Sequence, residues 1–129
     1  MQKTDTRTKI GVILSFDIEK GRFNMNLVDI GEDNDYKTYR NLIDSDLIDV
    51  AEYNEDIDII VDDEGLLVSG NPVLEIKTQW GSRPLAGKLL FLKREIQDDN
   101  IRNVGLSTGE AFKLVLELQD NLKIIGITQ

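Results

Sequence analysis

Short apolar segments, rich in β-branched residues and separated by turn residues, dominate the first half of this sequence. Residues 9–16, "KIGVILSF", have the composition of a buried strand. Residues 23–30, "FNMNLVDI", alternate apolar and polar side chains, which is the period of a strand, and Gly21 supplies a turn between the two. Residues 46–53 and 56–62 predict two more strands. The pattern therefore favours a largely antiparallel sheet.

Further strands are predicted beyond this point, beginning with a turn. The "DDEG" of residues 62–65 predicts a hairpin turn, in which Gly65 takes the left-handed conformation that a tight loop needs. Residues 66–73 would leave that turn as a strand, and residues 74–84 start apolar and finish as a loop. Two later segments are also predicted as strands: 85–95, with a bulge at Gly87, and 122–129.

Two segments have helical spacing. In residues 31–44 the apolar positions fall three and four apart, with Asp33 or Asn34 as the N-cap. In residues 107–121, Ser107 and Glu110 form a capping-box pattern ahead of an apolar stripe. The prediction is one α+β domain over residues 1–129, with a mostly antiparallel sheet of five to seven strands and two helices.

Composition excludes several kinds of chemistry. The chain has 129 residues and contains neither Cys nor His, so it lacks thiolate zinc ligands, thiol nucleophiles and the commonest general base. No apolar run resembles a signal peptide or a membrane helix. These features predict a cytoplasmic protein that has no membrane partner and no cofactor.

The charge is concentrated in one segment. The formal net charge is −9, but residues 29–64 hold fourteen acidic and two basic residues, which gives −12, whereas the remainder carries +3. Nucleic-acid binding needs a basic footprint, so direct contact with DNA or RNA is not expected. A protein partner with a basic surface fits this distribution better.

Within that segment, five residues form the candidate partner-binding face: Asp56, Asp58, Asp62, Asp63 and Glu64. Their spacing does not match an EF-hand loop, and no metal site is predicted. No pair of them is expected on facing walls of a catalytic cleft. The simpler interpretation places Asp58 on a solvated strand face and residues 62–64 on an exposed turn.

A second candidate contact lies in "TQWGSRP", residues 78–84. Trp80 and Arg83 belong to the residue types that dominate protein interfaces, so they form a candidate aromatic and basic anchor. The alternative is that Trp80 packs onto the edge of the sheet.

Several segments carry a resemblance to a known family. The stretches "LIDSDLIDV", "IDIIVDDEGLLV", "NPVLEI" and "LAGKLLFLK", within about residues 42–91, resemble the family catalogued as domain of unknown function 3846. The resemblance implies a small accessory protein carried by phages, plasmids and conjugative elements of Gram-positive bacteria. It implies no catalytic residues.

Three classes of function remain open. The first is a non-enzymatic binding or regulatory protein, in its sharpest form a nucleic-acid mimic that occupies a host defence or DNA-binding protein. The second is an assembly protein that pairs through an exposed strand. The third is an enzyme that uses a carboxylate-bound metal near residues 58–64.

Overall fold

The computed structural model describes residues 9–31 and 35–129, apart from the side chain of Gln97. These residues form nine strands and two helices, which confirms the α+β class, although the strand count exceeds the predicted five to seven. In chain order the elements are β1 (Ile10–Asp17), β2 (Arg22–Asp29), α1 (Tyr36–Ile43), β3 (Ile48–Glu52), β4 (Ile57–Asp62), β5 (Pro72–Thr78), β6 (Gly81–Ala86), β7 (Leu89–Gln97), β8 (Asn100–Val104), α2 (Thr108–Leu118) and β9 (Leu122–Ile127).

The strands divide into two antiparallel sheets. The larger has the order β2-β1-β7-β4-β3, with β8 also paired to β7, and the smaller has the order β6-β5-β9. The start of β7 pairs with β1 and its last five residues pair with β8. Because Lys93 pairs with β8 on one side and β4 on the other, β1 and β8 lie end to end along one edge of β7.

The large sheet is covered on both faces, and β4 shows why. Ile57, Ile59 and Val61 join the cluster that also contains the small sheet and α2, whereas Ile60 joins the cluster formed with α1. Successive side chains of a strand point to opposite faces, so this split follows directly from the sequence alternation.

Both helices are capped by side chains. Ser107 Oγ accepts a hydrogen bond from Glu110 N at 3.2 Å, and a Glu110 carboxylate oxygen accepts one from Ser107 N at 2.9 Å, which confirms the predicted capping box. At α1 the cap is Asp35, whose carboxylate accepts from Thr38 N; Asp33 and Asn34 lie outside the described residues. Within the described chain, neither helix is long and apolar enough to cross a membrane.

Three predicted segments differ from the structure. Residues 66–71 form turns rather than a strand, and the next strand begins at Pro72. The single strand predicted over 85–95 is divided at Gly87, where a φ of 86° directs the chain from the small sheet into the large one. The predicted bulge there is wrong. Strand β6 begins in the segment predicted to finish as a loop, and no strand is predicted at the position of β8.

The turn at residues 62–65 is not a hairpin, because β4 and β5 belong to different sheets. Gly65 is also not among the glycines with positive φ, so the predicted left-handed conformation is wrong. Its requirement is space: a Cβ at this position would lie 2.8 Å from the carbonyl oxygen of Ala86 and 3.3 Å from that of Asp62. The glycine therefore permits close contact between the turn and the end of β6.

Substituting Gly65 by Ala should lower the free energy of unfolding by roughly 1–3 kcal/mol, the usual range for overpacking against backbone that cannot move. Gly109→Ala is the control. Its Cβ would meet nothing within 4 Å and it lies in the first turn of α2, so helix propensity should raise stability slightly. Urea denaturation of both variants measures the difference. Equal midpoints for Gly65→Ala and the parent protein would contradict the packing requirement.

Candidate functional site

The five candidate acidic residues do not share one surface. Asp56 precedes β4, Asp58 lies within it, Asp62 is its last residue, and residues 63–64 follow it. A strand rises about 3.3 Å per residue, so six residues place its two ends about 20 Å apart. The predicted face is therefore divided into three parts: Asp56 before the strand, Asp58 within it, and residues 62–64 at its C-terminal end.

Asp58 is buried, with only 3% of its surface exposed, so its predicted place on a solvated strand face is wrong. One of its carboxylate oxygens accepts hydrogen bonds from Nε (3.0 Å) and Nη2 of Arg94. The other oxygen accepts from the amide of Asn103 at 2.9 Å. A carboxylate in this position is unavailable to a partner and acts inside the fold.

Arg94 uses the rest of its guanidinium to hold the loop between β3 and β4. It donates to the carbonyl oxygens of Glu55 (2.9 Å) and Asn54 (3.3 Å), and its Nη2 lies 3.3 Å from a carboxylate oxygen of Glu52. The hydrogen bonds to Asp58 raise the pKa of Arg94 above its ordinary value against the opposing effect of burial, so the guanidinium remains charged. The role of Arg94 was not predicted from the sequence.

The acidic group at the other end of β4 lies beside the segment that follows α1. Asp63 N donates to the carbonyl oxygen of Leu47 at 2.9 Å, which places residues 44–47 next to residues 62–68. Together these two stretches carry five carboxylates: Asp44, Asp46, Asp62, Asp63 and Glu64.

Apolar side chains are exposed within the same two stretches. Leu67 is 79% exposed, and Leu47, Leu66 and Val68 are each about half exposed. We call residues 44–47 and 62–68 the acidic–apolar surface. An exposed apolar group bordered by charge is typical of a site where a protein partner binds.

The backbone of the 63–71 loop is held by its own hydrogen bonds. Leu67 N and Val68 N both donate to the carbonyl oxygen of Glu64, at 2.9 and 3.2 Å. The amide of Asn71 donates to the carbonyl oxygen of Gly65 at 3.0 Å, and the hydroxyl of Thr128 donates to the carbonyl oxygen of Val68. The loop therefore presents its apolar side chains on an ordered backbone.

A cleft of about 480 Å³ adjoins the acidic–apolar surface. It lies near the ends of β1 and β4, next to the residues that directly precede β7. Its wall includes the ion pair between Lys88 and Asp44, whose Nζ and Oδ2 atoms are 2.5 Å apart. Its other polar lining residues include Ser15, Asp17, Asn24, Asp62 and Asn71. In the part of the chain that the structure describes, no three acidic residues are grouped so that they could hold a metal ion.

Trp80 and Arg83 lie elsewhere, on the β5–β6 hairpin. Trp80 occupies the two-residue turn and is 57% exposed, so it does not pack onto the sheet edge. Arg83 is exposed and, with Trp80 and Glu52, lines a shallow cavity at the end of the molecule where β4 begins. The anchor and the acidic–apolar surface are therefore separate sites.

Comparison with known protein families, curated proteins and solved structures gives no match to this chain. The resemblance to the domain of unknown function 3846 family thus stays a prediction from the sequence, and the site is interpreted from its own geometry.

Asp58→Asn should lower the free energy of unfolding by about 3 kcal/mol, because it removes the charge that compensates the largely buried guanidinium of Arg94. Asp56→Asn makes the same chemical change two residues away at an exposed position, and should alter stability by no more than about 0.5 kcal/mol. Chemical denaturation of the two variants tests the assignment. If both variants changed the free energy of unfolding by a similarly small amount, the ion pair would not contribute to stability.

Proposed function

We propose that this protein is a non-enzymatic binding protein whose acidic–apolar surface receives a basic and apolar segment of a partner protein. The observation that carries the proposal is the exposure of Leu47, Leu66, Leu67 and Val68 among five carboxylates, on a backbone fixed by hydrogen bonds. Exposed apolar side chains alone would bind many different partners. The acidic border restricts the choice to those of complementary charge.

The two components of the surface make different contributions to binding. Burying a half-exposed leucine completely contributes on the order of 1 kcal/mol, so several such side chains supply most of the affinity. The carboxylates, largely in water, contribute little energy each but raise the association rate and make it sensitive to salt. A partner segment should therefore combine Lys or Arg with large apolar residues.

The positions of the acidic residues favour this form of binding over nucleic-acid mimicry. A mimic needs a row of exposed carboxylates that replaces backbone phosphates. Asp58 is inside the fold, and Asp56 lies about 20 Å from residues 62–64 along β4, so the exposed group is compact rather than extended. The resemblance to the domain of unknown function 3846 family supplies the proposed setting: an accessory protein of a mobile element, in a bacterial cytoplasm.

Affinity capture from a lysate of the source organism, with the tagged protein as bait, tests the proposal. The double variant Asp63→Asn/Glu64→Gln removes two charges, and Leu66→Ser/Leu67→Ser removes the most exposed apolar group. Each should reduce recovery of the partner about tenfold, which corresponds to about 1.4 kcal/mol. Raising the salt to about 0.5 M during binding to the parent protein should reproduce the effect of the charge variant.

Matched controls come from the β7–β8 hairpin. Asp98→Asn/Asp99→Asn makes the same change in charge at an exposed turn whose positive φ angles Asn also tolerates. Ile96→Ser/Ile101→Ser removes two equally exposed apolar side chains. Thermal melting should be the same in all variants. If the controls lose the partner as completely as the site variants, or the site variants retain it, the proposed surface is wrong.

A further inference from the structure

Within the described residues, strand β9 pairs with β5 alone and closes one side of the small sheet, so one of its edges is unpaired. A free edge presents backbone N–H and C=O groups in the spacing that another strand requires. The chemical class of occupant is therefore an extended polypeptide segment.

The other edge strands carry features that discourage such pairing. Strand β2 is charged at its two ends, Arg22 and Asp29, and β3 has Asp49 and Glu52. Strand β6 has Pro84, which cannot donate a backbone hydrogen bond. Strand β8 is short and carries Arg102, which forms an ion pair with Glu95 at 3.2 Å. Charge and proline on an edge are the usual protections against strand addition.

Strand β9 lacks charge and proline over most of its length, although it has a bulge at Ile125, where its register with β5 shifts. Its one charged residue is Lys123, and the run that follows, residues 124–127, is "IIGI". The side chains of Ile125 and Ile127 are 48% and 49% exposed. The helix before it adds two more exposed apolar side chains one turn apart, Phe112 and Leu116.

The local charge permits approach by a second copy of the chain. Residues 105–129 contain three acidic and two basic residues, a net charge of −1, whereas residues 29–64 carry −12. Two molecules that each carry −9 repel least when they meet through their most neutral surfaces. An unrelated basic segment, in contrast, would be attracted to the acidic part of the molecule.

We infer that two copies of this protein pair antiparallel through β9 and join their small sheets into one continuous six-stranded sheet. The arrangement has twofold symmetry, so each copy contributes the same residues. When the axis falls within residues 124–126, Lys123 of one copy lies opposite a residue between 125 and 129 of the other, and the two lysines do not face each other. The inference is independent of the proposed partner, and the dimer would present two acidic–apolar surfaces.

Sedimentation velocity over about 1 μM to 1 mM protein tests for association. The expected result is a concentration-dependent shift from the mass of one chain to that of two. Ile125→Lys/Ile127→Lys should weaken association at least tenfold, because it places charge on the edge. The control Ile96→Lys/Ile101→Lys adds the same charge to a more exposed pair on the β7–β8 hairpin and should leave association unchanged.

Disulfide formation tests which strand pairs. The chain contains no cysteine, so a single introduced thiol reports only on contact between copies. Among Ile124→Cys, Ile125→Cys and Gly126→Cys, at least one should form a linked dimer under mild oxidation, because a residue faces its own copy only at the twofold axis and a disulfide needs Cβ atoms about 4 Å apart. Ile96→Cys is the control. A chain that stays monomeric throughout, or that is linked equally well through Ile96→Cys, would overturn the inference.

Discussion

The buried ion pair between Asp58 and Arg94 joins four parts of the fold. It links β4 to β7 inside the large sheet, and Asn103 on β8 completes the hydrogen bonding of the carboxylate. The same guanidinium fixes the β3–β4 loop through two backbone carbonyl oxygens. A charge in this position requires its partner, because an uncompensated ion would cost several kcal/mol in a largely dry environment. Asp58 and Arg94 therefore fix the conformation of the β3–β4 loop at this end of the sheet.

The pair also determines which carboxylates can meet a partner. With β4 buried on both faces, acidic residues are exposed only at its last residue, Asp62, and beyond its ends. The hydrogen bond from Asp63 to Leu47 then brings the C-terminal group beside the segment after α1, and the acidic–apolar surface results from that contact. Five of the fourteen acidic residues in segment 29–64 thus lie on a compact surface at one end of the sheet.

The sequence was informative where periodicity and local chemistry agree. The β1–β2 hairpin, β3, β4, β9 and the capping box of α2 follow from alternation, β-branched composition and the spacing of Ser107 and Glu110. Local pattern could not show that the chain changes sheets after β4 and again at Gly87, because pairing between distant strands decides both points. It also could not show that Asp58 is buried: its partners Arg94 and Asn103 are 36 and 45 residues away. An arginine directly after the apolar run "LLFLK" was the available signal, since a charge next to a buried strand needs a partner.

In the loop after β4, one set of groups holds the backbone conformation and a different set of side chains is exposed on the surface. Its conformation is fixed by backbone hydrogen bonds, by Asn71 and Thr128, and by the lack of a side chain at Gly65. The three side chains at 66–68 are exposed and contribute little to the core. These positions can therefore diverge during evolution with little cost in stability. If the proposed function is right, a lineage carrying this fold can change the partner it binds while the scaffold beneath stays the same.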